Sequence, residues 1–200
     1  MKTAYIVKAY RTAVGKAPKG VFRFKRPDEL AAETLEYMFK ELPELDKTRI
    51  DDVMVGNAMP EAEQGLNMAR LISLMGLKIE DVPGVTVNRY CASGIETIGM
   101  ATAKIQSGMA ECIIAGGAES MSYIPMGGYK PTPDYALAKD GHEDYYWGMG
   151  LTAEAVANEF NISREDQDAF AFSSHEKALK AQAEGKFKDQ IVPINIEETF

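Results

Sequence analysis

A chain of 200 residues with 46% hydrophobic and 26% charged content can bury a sizeable core, and it fits one large domain or one domain plus part of another. Its net charge of −8 argues against general nucleic-acid binding, which needs a basic face, but leaves room for a small anion held by local basic residues. With 2 cysteines and 2 histidines it has neither a disulfide framework nor zinc-type ligand spacing, so no metal is expected and a reducing, cytoplasmic setting is the simpler reading.

In chain order, Ala4-Tyr5-Ile6-Val7 reads as a first strand. The loop Gly15–Gly20 is basic, but it lacks the P-loop spacing. Asp28 is placed to cap a helix running to about Leu42, with Leu30, Ala31, Leu35, Met38, Phe39 and Leu42 as its apolar stripe. Pro43 and the Asp46-Lys47 turn end it. Asp52–Gly56 is a second strand, followed by a helix from about Asn67 to Met75 with Gly76 as terminator. A third strand, 84–88, leads through a cysteine-bearing turn into a helix ending at Ser107, with Ile95, Ile98, Thr102 and Ile105 on one face. Cys112–Ala115 is a fourth strand, and Gly116-Gly117 marks a tight turn at its end. Strands alternating with helices at this spacing imply β-α-β units, hence a mainly parallel sheet with helices on both faces. Such sheets bind ligands at the carboxyl ends of their strands, where Cys91 and Gly116-Gly117 both fall.

Past residue 120 the rhythm changes. Ser120–Gly150 is rich in Gly, Pro, Tyr and Met without a clear period. Such a long stretch inside a domain is functional or disordered, and this one is apolar enough to be an excursion packed over the first domain. Helices are expected at about 152–160 and 164–184, the second capped by Ser163 and ended by Gly185, and 190–196 begins another strand. The division expected is a core of 1–119 and a second region of 120–200. No apolar run approaches the roughly 20 residues that span a bilayer, and the amino terminus lacks a signal-peptide pattern, so no membrane span is expected.

The most informative stretch is Asn88-Arg89-Tyr90-Cys91-Ala92-Ser93-Gly94. It puts a cysteine where a strand turns into a helix, beside unpaired backbone N–H groups and the positive end of the helix dipole. That environment favours a thiolate and makes a cysteine nucleophilic, and Gly94 lets the backbone approach closely. A small buried cysteine that merely packs would fit the same local pattern. Cys112, inside an apolar strand with no adjacent base, reads as structural.

Several blocks, taken together, resemble the thiolase family. They are Arg11-Thr12-Ala13-Val14-Gly15, the stretch around Cys91, Ala115-Gly116-Gly117-Ala118-Glu119-Ser120-Met121-Ser122, Met149-Gly150-Leu151-Thr152-Ala153-Glu154, Ser163-Arg164-Glu165-Asp166-Gln167-Asp168 and Gly185–Pro193. The resemblance runs through the whole chain and matches the N-terminal half of the family. It implies an α/β thiolase-like fold of layered α-β-α-β-α architecture, of which this chain gives one half with part of the loop domain. It also implies transfer of an acyl group between an active-site cysteine and CoA: cleavage of 3-ketoacyl-CoA, or the reverse condensation. By the match, Cys91 is the acyl-accepting nucleophile, its backbone N–H is one oxyanion donor, and Met149 lines the substrate pocket. Acyl-CoA and CoA are then the partners, CoA is a co-substrate with no tightly bound cofactor, and the protein is a homodimer or homotetramer. The segment from about Ser120 resembles the loop domain that covers the substrate.

The chain departs from the family pattern in two ways. The family's histidine-bearing and second-cysteine segments do not occur in it, and neither His142 nor His175 matches them, so the 200 residues alone are expected to be inactive. Gly148 also stands where some members have a histidine. The loop Gly20-Val21-Phe22-Arg23 followed by Arg26 looks more like the degradative, β-oxidation type of thiolase than the biosynthetic acetoacetyl-CoA type. A ketoacyl-synthase-like condensing enzyme and an inactive truncated product retaining only an association surface are the other readings.

Overall fold

The computed structural model describes residues 2–139 and 141–197. Three strands form one parallel sheet: β1 (Asp52–Gly56), β2 (Gly84–Val87) and β3 (Ile113–Gly117), in the order β2-β1-β3. Val53 pairs with Gly84 on one side, and Asp52 pairs with Ile113 on the other. All five residues of β1 are buried, as suits a central strand covered on both faces. The helices of the same unit are α1 (Pro27–Lys40), α2 (Met68–Leu77) and α3 (Ser93–Ser107).

The alternation of β1 sorts these helices. Val53 and Val55 join Phe39, Ile50, Met68, Ala69, Ile72, Leu77 and Val82 in one apolar cluster under α1 and α2. Asp52 and Gly56 point the other way: Asp52 pairs with Lys104 of α3 at 2.8 Å, and Gly56 abuts Ser93. The α-β-α layering expected from the sequence is therefore present.

Several expectations about single elements are corrected. Among the described residues, 4–7 belong to no strand, and Tyr5, Ile6 and Val7 are exposed. The chain near the amino terminus meets the 190–196 stretch at an Arg11–Ile191 bridge. Arg26, not Asp28, is the cap residue of α1. The buried Asp28 carboxylate pairs with the Arg26 guanidinium at 2.8 Å. Gly76 lies inside α2, and Lys78, at φ 60°, is the left-handed residue that closes it. Gly76 is instead a packing residue, because a Cβ there would lie 2.9 Å from the Leu35 Cβ of α1. Gly116 and Gly117 are strand residues paired with Val55 and Gly56 rather than a turn.

The isoleucine face of α3 is also not the face that packs. Ser93, Thr97 and Ala101 are buried, whereas Ile95 is 69% and Ile98 42% exposed. Small side chains allow the helix to lie close on the sheet, and the bulkier stripe is left outward.

The contacts divide the chain into one unit of Met1–Tyr129 with Gln190–Phe200 and another of Lys130–Asp189, at other places than residue 119. Residues 120–129 join the first unit through the fully buried Ile124 and through the Glu61 carboxylate, which accepts from the Tyr129 N–H at 2.6 Å. The second unit holds α4 (Tyr135–Ala138), α5 (Met149–Glu159) and α6 (Arg164–Ala183). Ser163 caps α6 with a full capping box closed by Asp166, and Gly185 follows at φ 69°.

Candidate active site

Five residues, 88–92, connect β2 to α3, and their backbone is fixed by short-range hydrogen bonds. The Asn88 Oδ1 accepts from the Tyr90 N–H at 2.9 Å, an Asx turn that places Tyr90 at φ 47°. The buried Ser93 hydroxyl accepts from the Arg89 N–H at 2.8 Å and donates to the Tyr90 carbonyl at 2.6 Å. Arg89 pairs with Glu96, in the first turn of α3, at 2.9 Å. Cys91 stands exposed within this brace, immediately before the first turn of α3. The packed-cysteine alternative does not describe it.

Contacts to the strand ends hold the amino end of α3 in place. A Cβ at Gly56 would lie 2.5 Å from the Ser93 carbonyl carbon, so the helix start rests directly on the end of β1. The Thr97 hydroxyl shares its proton between the Gly94 carbonyl at 2.8 Å and the Gly116 carbonyl of β3 at 2.9 Å. Gly94, expected from sequence to allow close approach, has nothing within 4 Å of a Cβ position; that role belongs to Gly56.

A polar network joins the three carboxyl ends. The Asn57 N–H donates to the Val87 carbonyl at 3.0 Å, and its Nδ2 donates to the Ala118 carbonyl at 2.8 Å. The Glu119 carboxylate accepts from the Ala58 N–H at 2.7 Å and from the fully buried Gln64 Nε2 at 2.6 Å. The Asn88 Nδ2 donates to the Ala58 carbonyl at 3.1 Å. The sequence reading missed Asn57, Gln64 and Glu119 as parts of one cluster. Glu119 sits inside a matched block, but its partner Gln64 lies 55 positions away.

Cys112 is half-buried against the apolar cluster, just before β3, and burial pushes its thiol up from the ordinary value. Met149 opens α5 in the second unit and is 63% exposed there. Both histidines also belong to the second unit, His142 stacking on Tyr145 with ring centroids 4.9 Å apart. Among the described residues, no group of three or more His, Cys, Asp or Glu could hold a metal ion, and no helix is long and apolar enough to cross a membrane.

Cys91 thus stands exposed between a parallel strand and a helix start of an α/β unit. The chain belongs to the thiolase family: the family model for the thiolase N-terminal domain matches residues 4–199. It is 51% identical to the 3-ketoacyl-CoA thiolase of Bacillus subtilis (strain 168) over 199 residues, covering 100% of this chain and 50% of that protein. The 3-ketoacyl-CoA thiolase of Shewanella sp. (strain MR-7) is 40% identical, with 97% of this chain and 50% of the relative covered. Among solved structures, the Bacillus anthracis acetyl-CoA acetyltransferase is similar with a TM-score of 0.81 and 32% identity, over 97% of this chain and 51% of that one. The chain thus spans about half the length of the relatives it matches.

Proposed function

We propose that the chain supplies the nucleophile half of an acyl-CoA thiolase of the degradative type. The Cys91 thiolate attacks the 3-keto carbonyl of a 3-ketoacyl-CoA. The bond between C2 and C3 breaks, its electron pair leaves with the acetyl-CoA fragment, and a proton is taken up there. The acyl group stays on Cys91 as a thioester until a CoA thiolate removes it. The observation that carries this reading is the exposed Cys91 in a cross-braced turn ahead of α3. The Cys91 backbone N–H serves as an oxyanion donor in both steps.

The names of the B. subtilis and Shewanella relatives favour 3-ketoacyl-CoA as substrate over a purely biosynthetic role. Met149 lines the acyl pocket, the unit 130–189 forms the start of a loop domain over the substrate, and the whole protein has the five-layered α-β-α-β-α arrangement. CoA enters as a co-substrate, with no tightly bound cofactor. The outward Ile95 and Ile98 supply apolar surface for association into a homodimer or homotetramer. Two unpaired cysteines suit a reducing cytoplasm.

Incubation with acetoacetyl-CoA followed by peptide mapping tests the assignment. An acetyl thioester on the Cys91 peptide is expected, absent in Cys91→Ala. An acyl group retained by Cys91→Ala, or carried on Cys112, would move the nucleophile elsewhere.

A further inference from the structure

The Cys91 turn contains a residue that pays for its conformation. Tyr90 is not a glycine, yet it sits at φ 47°, a region that L side chains enter only when their surroundings hold them there. The holding group is the Asn88 amide oxygen on the Tyr90 N–H, at 2.9 Å. The other end of that amide donates to the Ala58 carbonyl at 3.1 Å, so the Asn88 rotamer is set from the loop after β1. The same peptide segment is gripped through the Ala58 N–H, which donates to the Glu119 carboxylate at 2.7 Å. Glu119 is fixed in turn by the Gln64 Nε2 at 2.6 Å, while the Gln64 carbonyl oxygen accepts from the Ser120 N–H. Gln64 is fully buried and cannot exchange these partners for water. An unbroken path of hydrogen bonds therefore runs from the loop after β3, through the loop after β1, to the residue preceding the nucleophile.

We propose that Asn88 and Glu119 are positioning residues for Cys91, acting as one relay through the backbone of Ala58, whose N–H meets Glu119 and whose carbonyl meets Asn88, to hold the thiol at the amino end of α3. The proposal rests on the assignment of Cys91 as nucleophile. Neither side chain touches the reacting atoms. The two act in series, because Glu119 holds Ala58 through its N–H, Asn88 leans on the carbonyl of that same residue, and Asn88 fixes Tyr90. Cys91 is already exposed, so loosening the turn uncovers nothing. What it removes is the fixed placement of the Cys91 backbone ahead of α3.

The test is iodoacetamide labelling of the full 200-residue chain near neutral pH, with Cys91 and Cys112 followed separately by peptide mapping. Asn88→Ala and Glu119→Ala are each expected to slow Cys91 labelling by about fivefold as the turn loses its fixed geometry. The double variant should be no slower than the worse single one, since members of one relay are not additive. Asn88→Ser, which keeps an acceptor for the Tyr90 N–H, and Glu119→Gln, which keeps one for the Ala58 N–H, should each recover most of the loss. Cys112 labelling at the wild-type rate certifies the fold. Where an alanine variant opens the fold and Cys112 accelerates, the Ser and Gln variants decide, staying within about twofold of wild type if the relay is right. Multiplying effects in the double variant, wild-type rates in both alanine variants, or no recovery with Ser and Gln would each overturn the relay. Failure of Cys91 to outpace Cys112 in the wild-type chain would instead overturn the nucleophile assignment on which it rests.

Discussion

Replacing Gly56 by alanine should damage the chain more than one added methyl group suggests. The new Cβ would lie 2.5 Å from the Ser93 carbonyl carbon, 2.7 Å from its oxygen and 2.8 Å from the Gly94 nitrogen, where ordinary contact begins at 3.4 Å. The shortfall is about 0.9 Å against backbone on one side and the central strand of the sheet on the other, so no side chain can rotate away. Overpacking of this kind costs ~1–3 kcal/mol, and a purely backbone clash belongs at the upper end. Lower unfolded-state entropy returns ~0.4–1 kcal/mol, leaving a net loss of about 2 kcal/mol. The alternative to that loss is a shift of α3 off β1, which would carry the Cys91 turn with it. The single tryptophan, Trp147, lies in the second unit and does not report on this one. Protection of Cys112 from alkylation across a urea series does, because Cys112 packs on the core of the same unit. A midpoint lowered by the equivalent of about 2 kcal/mol, with slower Cys91 labelling before the transition, is expected. A Gly56→Ala chain within about 0.5 kcal/mol of wild type and with unchanged Cys91 labelling would refute the close approach of α3 to β1.

Three further outcomes are expected. Ile72→Ala removes a fully buried side chain from the cluster under α1 and α2 and should cost about 3 kcal/mol by the same urea series. The Asp51 carboxylate accepts from the Glu111 N–H at 2.6 Å and the Cys112 N–H at 3.0 Å, which lowers its pKa; its contribution is present above the ordinary carboxylate value and lost as pH falls through the lower folded one. Asp51→Asn should therefore cost about 1 kcal/mol at neutral pH, the figure being held down by exposure, and should flatten the acid limb of a stability–pH curve. The isolated 200-residue chain should not thiolyse acetoacetyl-CoA at about 10 turnovers per second, because neither His142 nor His175 falls in a segment that resembles the family's histidine-bearing ones; such a rate would refute the roles given above.

The strand–helix alternation was legible because each apolar run and each cap is a local signal. β1 reads as continuous Val-Met-Val, and Ser163 with Asp166 forms the capping box that its spacing suggests. Expectations failed where a long-range neighbour decides. Residues 4–7 have strand composition, but a strand needs a hydrogen-bonding partner, and composition does not supply one. The face that α3 buries was misread because periodicity marks the largest apolar residues, whereas a sheet approached within backbone contact selects the smallest: Ser93, Thr97 and Ala101. The glycines show the same limit. Gly76, Gly94 and Gly116 look alike in sequence, and only the element packed opposite tells a packing glycine from an unconstrained one. In the site, Cys91 was visible from its own turn, while Gln64 and Glu119 meet across 55 positions and carry no local signature of that meeting.

The two cysteines show how parallel topology sorts one functional group into two chemistries. In a parallel sheet every strand runs the same way, so the helix that follows a strand begins at the carboxyl edge and ends near the amino edge. Cys91 follows β2 at the carboxyl edge, where α3 begins and its first N–H groups lack helical partners. Cys112 precedes β3 at the opposite edge, a few residues past the end of α3, where the helix presents carbonyls and the negative end of its dipole. Burial against the apolar cluster adds to that disadvantage and pushes the Cys112 thiol up. The Arg49 guanidinium offsets part of the rise caused by burial, and the smaller effect of the Asp51 carboxylate adds to that rise. Exposure, turn bracing and an amino helix end therefore coincide at Cys91, whereas Cys112 is half-buried beside a carboxyl helix end. The difference follows from which end of a strand each residue occupies, so it should survive any substitution that preserves the sheet order β2-β1-β3 and the docking of α3.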